Sequence, residues 1–241
     1  MIKYFFVILI AIPRIIYSQI CVLIMNSNKE KYSLEKRYAC VRKTICILNK
    51  MLKARLVVEN VHFIKTPHQS GRIYVPNHCS VFEALALIEL SEKPLIFISK
   101  IENSKIPFLA AHLNAIDGLY IDRKDVKQSL RICKQAGLLA NSGYDVVIFA
   151  EGTRSKDGNV AEFKAALPSI LHYAKCETYL ICFHNSHAPL SFHILSYPNE
   201  IVHLTFFEPL SFEYFLENKK EFNQIARNTI QQRLDQYRIR G

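Results

Sequence analysis

Two stretches of the chain combine residue types that can move protons and bind anions. In the first, an apolar run stops at Pro76, Asn77 and His78 follow it, and Glu83 comes five residues after His78. Histidine is the side chain that most often removes a proton near neutral pH. A carboxylate bonded to its ring fixes the tautomer and stabilises the imidazolium. A His78–Glu83 pair could therefore activate a hydroxyl group as a nucleophile.

Whether the two side chains meet depends on where the following helix begins. Five residues of an ideal helix advance about 500° and ~7.5 Å along the axis, so His78 and Glu83 would not meet if both were helical. Ser80-x-x-Glu83 has the pattern of a capping box, which starts the helix after Ser80 and leaves His78 in the preceding loop. The same pattern permits a second interpretation, in which Glu83 only caps the helix and His78 is an ordinary junction histidine.

The second stretch is the tetrapeptide Glu151-Gly152-Thr153-Arg154, which follows the apolar run 146–149. Glycine lets a backbone turn closely around a ligand, and an arginine in such a turn can bind a phosphate through paired hydrogen bonds. These residues are therefore candidate anion ligands. Taken alone, the tetrapeptide could equally be a structural turn whose arginine pairs with a neighbouring carboxylate.

From residue 56 onward, short apolar runs alternate with helical patterns. This alternation predicts an α/β domain with a largely parallel central sheet flanked by helices, whose site lies at the carboxyl ends of the strands. His78 and Glu151 both follow such ends. The predicted strands are Leu56–Glu59, Arg72–Val75, Leu95–Ser99, Gly118–Ile121, Asp145–Phe149, Thr178–Phe183 and Ile201–Phe207; the predicted helices are Val81–Leu90, Val126–Ala140, Pro168–Ala174 and Ser211–Arg238.

Residues 1–55 are predicted to form an N-terminal membrane-associating unit, and residues 56–241 the α/β domain. Residues 1–55 carry a net charge of +9, out of +10 for the whole chain. The run Tyr4–Met25 could cross a bilayer as a helix of about 33 Å, but Pro13 and Arg14 near its middle favour a kinked, re-entrant or interfacial segment. A cleaved signal peptide is the alternative, which the apolar residues that continue beyond residue 20 disfavour.

A second helical pattern follows, with apolar residues at three- and four-residue steps and basic residues between them. The apolar positions are Tyr38, Val41, Ile45, Leu48 and Leu52. The pattern predicts a basic amphipathic helix, which suits an anionic membrane surface, where each cation contributes about 1 kcal/mol. The alternative is an ordinary surface helix packed on the domain.

Several other classes of protein and site are disfavoured. A nucleic-acid-binding domain spreads its basic surface over the fold, whereas residues 56–241 are nearly neutral. Seven cysteines without a C-x-x-C pair argue against a disulfide framework and fit a reducing compartment. Cys79 as a nucleophile is disfavoured because adjacent side chains point apart. A metal site at His184, His187, His193 and His203 lacks a carboxylate partner and a helical frame.

The N-H-x4-E motif at residues 77–83 resembles the N-H-x4-D signature of the glycerophospholipid acyltransferases, which include 1-acylglycerol-3-phosphate (lysophosphatidic acid) acyltransferases. The glutamate form found here, H-x4-E, resembles the motif of related bacterial acyltransferases that finish lipid A. Residues 149–155 are similar to the family's F-P-E-G-T-R-S block. Residues 97–123 resemble a family segment with a lysine, an I-P-F turn and an arginine, here Lys100 and Arg123.

The resemblance implies a membrane-associated enzyme that moves a fatty acyl group from acyl-coenzyme A or acyl-acyl carrier protein to the hydroxyl of lysophosphatidic acid, making phosphatidic acid. His78 would be the general base, and Glu83 would orient it. No metal or bound cofactor is implied, and the active site would face the cytoplasm. By the same resemblance, the acceptor pocket would consist of Lys100, Arg123, Glu151, Gly152, Thr153 and Arg154.

Two alternatives remain open at this point. The acceptor could be glycerol-3-phosphate, another lysolipid or a lipid A precursor, or the protein could be a catalytically silent membrane-binding relative of the same fold. Because the family usually has aspartate in place of Glu83, we expect from the sequence that Glu83→Asp preserves or raises turnover.

Overall fold

In the described part of the chain, seven strands form one central sheet. The computed structural model describes residues 2–52, 54–190 and 201–240. The strands are β1 (Arg55–Glu59), β2 (Arg72–Pro76), β3 (Leu95–Lys100), β4 (Leu119–Ile121), β5 (Asp145–Val147), β6 (Thr178–His184) and β7 (Ile201–Phe206). Their order in the sheet is β1-β7-β6-β2-β5-β3-β4. Neighbouring strands are parallel except β6 and β7, so the predicted largely parallel sheet is confirmed.

Helices cover both faces of the sheet, and each face has its own apolar core. Successive residues of a strand point to opposite faces. In β2, Ile73 and Val75 join one core, whereas Tyr74 joins the other. The helices are α1 (Ile2–Asn26), α2 (Leu34–Leu52), α3 (His62–Lys65), α4 (Phe82–Leu90), α5 (Pro107–Ala115), α6 (Val126–Asn141), α7 (Ala166–Ala174), α8 (Phe212–Glu217) and α9 (Phe222–Arg240).

The sequence prediction missed helix α5. The I-P-F segment looked like a turn, but Pro107 is the first residue of a nine-residue helix. Proline is favourable at that position, because its fixed φ suits a helix and its missing N–H would have had no partner there. The prediction also treated α8 and α9 as one helix.

The break between α8 and α9 has a packing reason. Phe215 and Phe222 are both buried, and their rings meet edge to face with centroids 5.3 Å apart. In one continuous helix, residues seven apart are separated by about 10.5 Å along the axis. The Asn218 side chain donates to Tyr214 O at 2.9 Å, which satisfies a carbonyl at the end of α8.

The N-terminal hairpin α1–α2 packs on the α/β domain. Asn26 donates to Ala111 O at 2.8 Å, and the buried Arg37 pairs with Asp117 at 2.7 Å. Tyr38, Val41 and Ile45 are buried in the same core as α4 and α5. The apolar side of α2 therefore contacts protein, as in the surface-helix interpretation.

The exposed apolar face of the hairpin belongs to α1 instead. Ile16, Tyr17, Ile20, Leu23 and Ile24 are each about half or more exposed, and their spacing places them on one side of the helix. In the described ranges, no helix reaches the length and hydropathy needed to cross a bilayer.

We expect Asp117→Asn to loosen the hairpin. Burial opposes ionisation, but hydrogen bonds from Arg37 and Lys29 hold the pKa of Asp117 below its usual 3.8. Stabilisation from this lowered pKa is present at neutral pH and disappears as the pH falls through the folded-state pKa. Asparagine also tolerates the left-handed φ of +52° at this residue.

Thermal unfolding measures this effect. Because Asp117 is partly exposed and therefore screened, the expected loss at pH 7 is about 1 kcal/mol, or about 2–4 °C in Tm. The difference between the two proteins should shrink as the pH falls through the lowered folded-state pKa of Asp117. Glu102→Gln, which neutralises an exposed carboxylate elsewhere, is the control. Equal Tm values for Asp117→Asn and the unchanged protein at pH 7 would show that the ion pair does not anchor the hairpin.

Candidate active site

His78 and Glu83 are in contact at the carboxyl end of β2. His78 Nδ1 lies 3.0 Å from Glu83 Oε2, and α4 begins only at Phe82. The His78 ring packs on the Phe149 ring with centroids 4.1 Å apart. In the tautomer that carries hydrogen on Nδ1, this atom donates to the carboxylate and Nε2 keeps the lone pair that accepts a proton. The His78 side chain is 19% exposed, so a substrate can reach it.

Glu83 contacts both the turn before α4 and the His78 ring. Its Oε1 accepts hydrogen bonds from the backbone N–H of Cys79 at 3.0 Å and of Ser80 at 2.7 Å, in the turn that leads into α4. The N-cap residue is Val81, one residue later than the predicted Ser80. Glu83 Oε2 accepts from His78. The carboxylate is completely buried, and the two contacts are compatible because each uses a different oxygen.

Glu151 holds the backbone of His78. Its Oε1 accepts from His78 N at 2.6 Å, and its Oε2 accepts from Ala161 N at 2.8 Å. On the other side of the residue, Ser155 N donates to His78 O at 2.7 Å. Burial raises the pKa of Glu151, although both backbone hydrogen bonds oppose the rise. Glu151 is buried in the loop structure, and its two carboxylate oxygens bond to the chain.

Asn77 joins the His78 loop to β6. Its Oδ1 accepts from Phe183 N at 2.7 Å, and its Nδ2 donates to Phe183 O at 3.0 Å. The side chain is buried. These bonds continue the β2–β6 pairing beyond the last residue of β2, so the loop has a defined position relative to β6.

Cys79 is held as a neutral thiol. Burial, together with the carboxylates of Glu83 and Glu151, raises the pKa of Cys79 to about 12. Because the thiolate is the reactive form of cysteine, this environment opposes a role as nucleophile. The sequence interpretation against a Cys79 nucleophile therefore has a physical basis in the folded protein.

Cations surround the glycine of the 151–154 turn. Gly152 has a φ of +74°, and Gly152 N donates to Phe149 O at 2.9 Å to close the turn. A Cβ placed on Gly152 would lie 3.5 Å from Lys164 Cγ and 3.8 Å from Arg123 Cζ. Both distances are ordinary van der Waals contacts, so the positive φ, rather than a lack of space, is what favours glycine at this position.

The other predicted acceptor ligands lie at the same edge of the sheet and are exposed. Lys100 ends β3 and pairs in register with Ile121, two residues before Arg123. Thr153 and Arg154 follow Gly152 on the exposed side of the turn. Across the part of the chain that the structure describes, Lys100, Arg123, Arg154 and Lys164 form no ion pair with an acidic side chain.

The structure describes three of the four histidines of the disfavoured metal site, namely His184, His187 and His203. His184 and His203 have ring centroids 6.0 Å apart, and both rings approach Tyr237. His193 lies outside the described residues. Within 2–52, 54–190 and 201–240, no three or more His, Cys, Asp or Glu side chains are grouped to hold a metal ion.

Three residues near the site escaped sequence reasoning. Phe149 supports the His78 ring, Lys164 approaches Gly152, and Ser186 donates to Glu83 Oε1 at 2.5 Å. For Lys164 the sequence offered one indication, because the chain has to return toward the end of β5 after the turn at Glu151. In the structure, Lys164 N donates to Ala150 O at 2.8 Å. No local pattern marks Ser186, which lies 103 residues from Glu83.

Similar curated proteins are 1-acyl-sn-glycerol-3-phosphate acyltransferases. One from Chlamydomonas reinhardtii is 34% identical over 111 residues, covering 46% of this chain and 33% of the algal protein. A probable one from Mycoplasma genitalium is 28% identical over 174 residues, covering 68% of this chain and 63% of its own. The chain thus spans between about one third and just under two thirds of the length of these relatives.

A solved structure has the same fold. It is that of the 1-acyl-sn-glycerophosphate (LPA) acyltransferase PlsC from Thermotoga maritima, with a TM-score of 0.76 and 20% identity. The match covers 98% of this chain and 94% of that one. The family model named Acyltransferase matches residues 55–184, which include β1 to β6, the His78–Glu83 pair and the 151–154 turn. Since this match covers more than half of the chain, the protein belongs to the acyltransferase family.

Proposed function

We propose that this protein transfers a fatty acyl group from an acyl thioester to the free hydroxyl of lysophosphatidic acid, which yields phosphatidic acid. The observation that carries the proposal is the His78–Glu83 contact, at the same sheet edge as four cations that form no ion pair within the described chain. The names of the curated relatives support the same acceptor.

The geometry is suited to direct transfer. His78 Nε2 removes the proton of the acceptor hydroxyl while the hydroxyl oxygen attacks the thioester carbonyl. The C–S bond then breaks, the ester forms, and the imidazolium returns the proton to the leaving thiolate. Glu83 stabilises the imidazolium that exists between these two proton transfers.

The cations are suited to a phosphomonoester acceptor. Such a group carries up to two negative charges, and arginine binds it through two parallel hydrogen bonds. Arg123 and Lys164 lie at Gly152, Arg154 lies on the exposed side of the same turn, and Lys100 ends the neighbouring strand. We assign the acceptor phosphate to this group, with Thr153 and Gly152 forming the backbone of the pocket. Glu151 contributes by holding the turn to the His78 loop.

Thiol release from an acyl thioester tests the function. Detergent-purified protein should release free thiol from acyl-coenzyme A or acyl-acyl carrier protein only when lysophosphatidic acid is present. The assay should be repeated with glycerol-3-phosphate, other lysolipids and a lipid A precursor. Faster release with one of these would replace the proposed acceptor, and no acceptor-dependent release with either donor would contradict the acyl-transfer function.

We propose that the protein docks on a membrane through α1, with the active site on the cytoplasmic side. The exposed apolar face of α1 supports the docking. The acyl chains of substrate and product partition into lipid, so a site at the interface meets them where they are concentrated. Exposed cations of α2, namely Lys36, Lys43 and Lys50, add attraction to anionic lipid.

We expect Ile20→Ser with Leu23→Ser to weaken vesicle binding by about 10- to 100-fold, because each removed side chain is half exposed and its insertion into lipid is worth about 1 kcal/mol or more. Co-sedimentation with anionic vesicles measures the change. Leu216→Ser with Ile239→Ser removes two exposed apolar side chains far along the chain and is the matched control. Equal losses in both double variants would contradict docking through α1.

A further inference from the structure

We infer that Ser186 is a positioning residue of the proposed acyl-transfer reaction, which holds Glu83 so that its second oxygen points at His78. The inference rests on the proposed function. Ser186 Oγ donates to Glu83 Oε1 at 2.5 Å, and both side chains are buried from solvent. A carboxylate in such a place is oriented by the hydrogen-bond donors around it.

The two oxygens of Glu83 have separate sets of partners. Oε1 accepts three hydrogen bonds, from Cys79 N, Ser80 N and Ser186 Oγ. Oε2 accepts from His78 Nδ1. The two backbone donors come from the same loop as His78 and would move with it. Ser186 comes from the segment after β6, so its bond ties the Glu83 carboxylate to a part of the chain other than the His78 loop.

The fold brings Ser186 to this position by two local features. Asn185 has a φ of +63°, a left-handed conformation that asparagine tolerates, and it turns the chain directly after β6. Asn77 fixes the end of β6 to the His78 loop through Phe183. Three residues after Phe183, the chain therefore passes beside Glu83.

This arrangement also changes an expectation drawn from the family resemblance. Aspartate is shorter than glutamate by one C–C bond, about 1.5 Å. From the same backbone position, an aspartate could not reach His78 Nδ1 and Ser186 Oγ together. We therefore expect Glu83→Asp to lower turnover in this protein, in contrast to the sequence-based expectation that it preserves or raises it.

The test is Ser186→Ala in the thiol-release assay with lysophosphatidic acid as acceptor. We expect kcat to fall by about 10- to 100-fold, because a charge-assisted hydrogen bond is lost and the base is misplaced. KM for the acceptor should change less than about twofold. Ser91→Ala is the matched control, since Ser91 is also buried and donates one hydrogen bond, to Lys93 O at 2.7 Å, at the far end of α4. Its kcat should stay unchanged.

A double-mutant comparison separates positioning from a general effect on folding. If Ser186 acts through Glu83, adding Ser186→Ala to Glu83→Ala should lower kcat no further. The ¹⁵N spectrum of the His78 ring gives a readout without substrate. In Ser186→Ala and Glu83→Asp the signals should move away from the Nδ1–H tautomer, and in Ser91→Ala they should not.

The outcomes are distinguishable. An unchanged kcat and an unchanged His78 spectrum in Ser186→Ala would overturn the inference while leaving the function intact, as would an undiminished Ser186→Ala effect in the Glu83→Ala background. If the unchanged protein releases no thiol with any acceptor, the proposed function fails instead. The spectrum of His78 then decides alone whether Ser186 orients the pair.

Discussion

Replacing His78 by alanine is expected to lower kcat for acyl transfer by about 10²- to 10⁴-fold, the contribution of a positioned general base. Because Nδ1 is bonded to Glu83, Nε2 is the ring atom that we expect to accept the proton. KM for lysophosphatidic acid should change little, since the cations around Gly152 do not depend on the imidazole ring. Acceptor-dependent thiol release at saturating substrate measures the effect.

The protein should remain folded in this variant. His78 is partly exposed, so water can fill the vacated space, and Glu83 keeps its three hydrogen bonds at Oε1. Thermal unfolding followed beside the assay separates lost chemistry from lost structure. His172→Ala, at an exposed histidine of α7, is the control. If His78→Ala keeps more than about one tenth of the turnover, His78 is not the general base.

Arg154→Met is expected to raise KM for lysophosphatidic acid by about 10- to 100-fold with a smaller change in kcat. One or two charge-assisted hydrogen bonds to the phosphate, each worth about 1.5–3 kcal/mol, would be lost. Arg154 is exposed and forms no ion pair within the described ranges, so Tm should be unchanged.

A comparison of acceptors locates the effect at the phosphate. With a monoacylglycerol, which lacks the phosphate, Arg154→Met and the unchanged protein should react at the same low rate. Lys156→Met, which removes an exposed cation two residues farther along the chain, is the control. An equal loss with both acceptors would mean that Arg154 acts on something other than the phosphate, such as the donor or the turn itself.

His78→Ala and Arg154→Met should therefore affect different kinetic parameters, kcat in the first variant and KM for the acceptor in the second. His78 variants change the rate of the chemical step, whereas Arg154 variants change the binding of a charged group. We expect Glu151 variants to change the rate of the chemical step, as His78 variants do. The Glu151 carboxylate bonds to His78 N rather than facing solvent. The resemblance had placed Glu151 among the acceptor ligands, and that role stays a prediction.

Local patterns in the sequence were sufficient for the sheet and for the start of α4. All seven strands were predicted, because apolar runs bounded by polar loops differ clearly from helical spacing. The capping pattern at Ser80 and Glu83 placed His78 before the helix, where the structure has it. These properties depend on residues close together in the chain, so one sequence is enough to predict them.

Other properties depend on contacts between distant residues and became visible only in the folded chain. The apolar side of α2 could equally have faced lipid or protein, and its burial against the core of α4 and α5 decides for protein. The break between α8 and α9 depends on the contact of Phe215 with Phe222. Ser186 reaches Glu83 across 103 residues. Periodicity reports which side of an element is apolar; tertiary packing determines what that side, or a buried carboxylate, contacts.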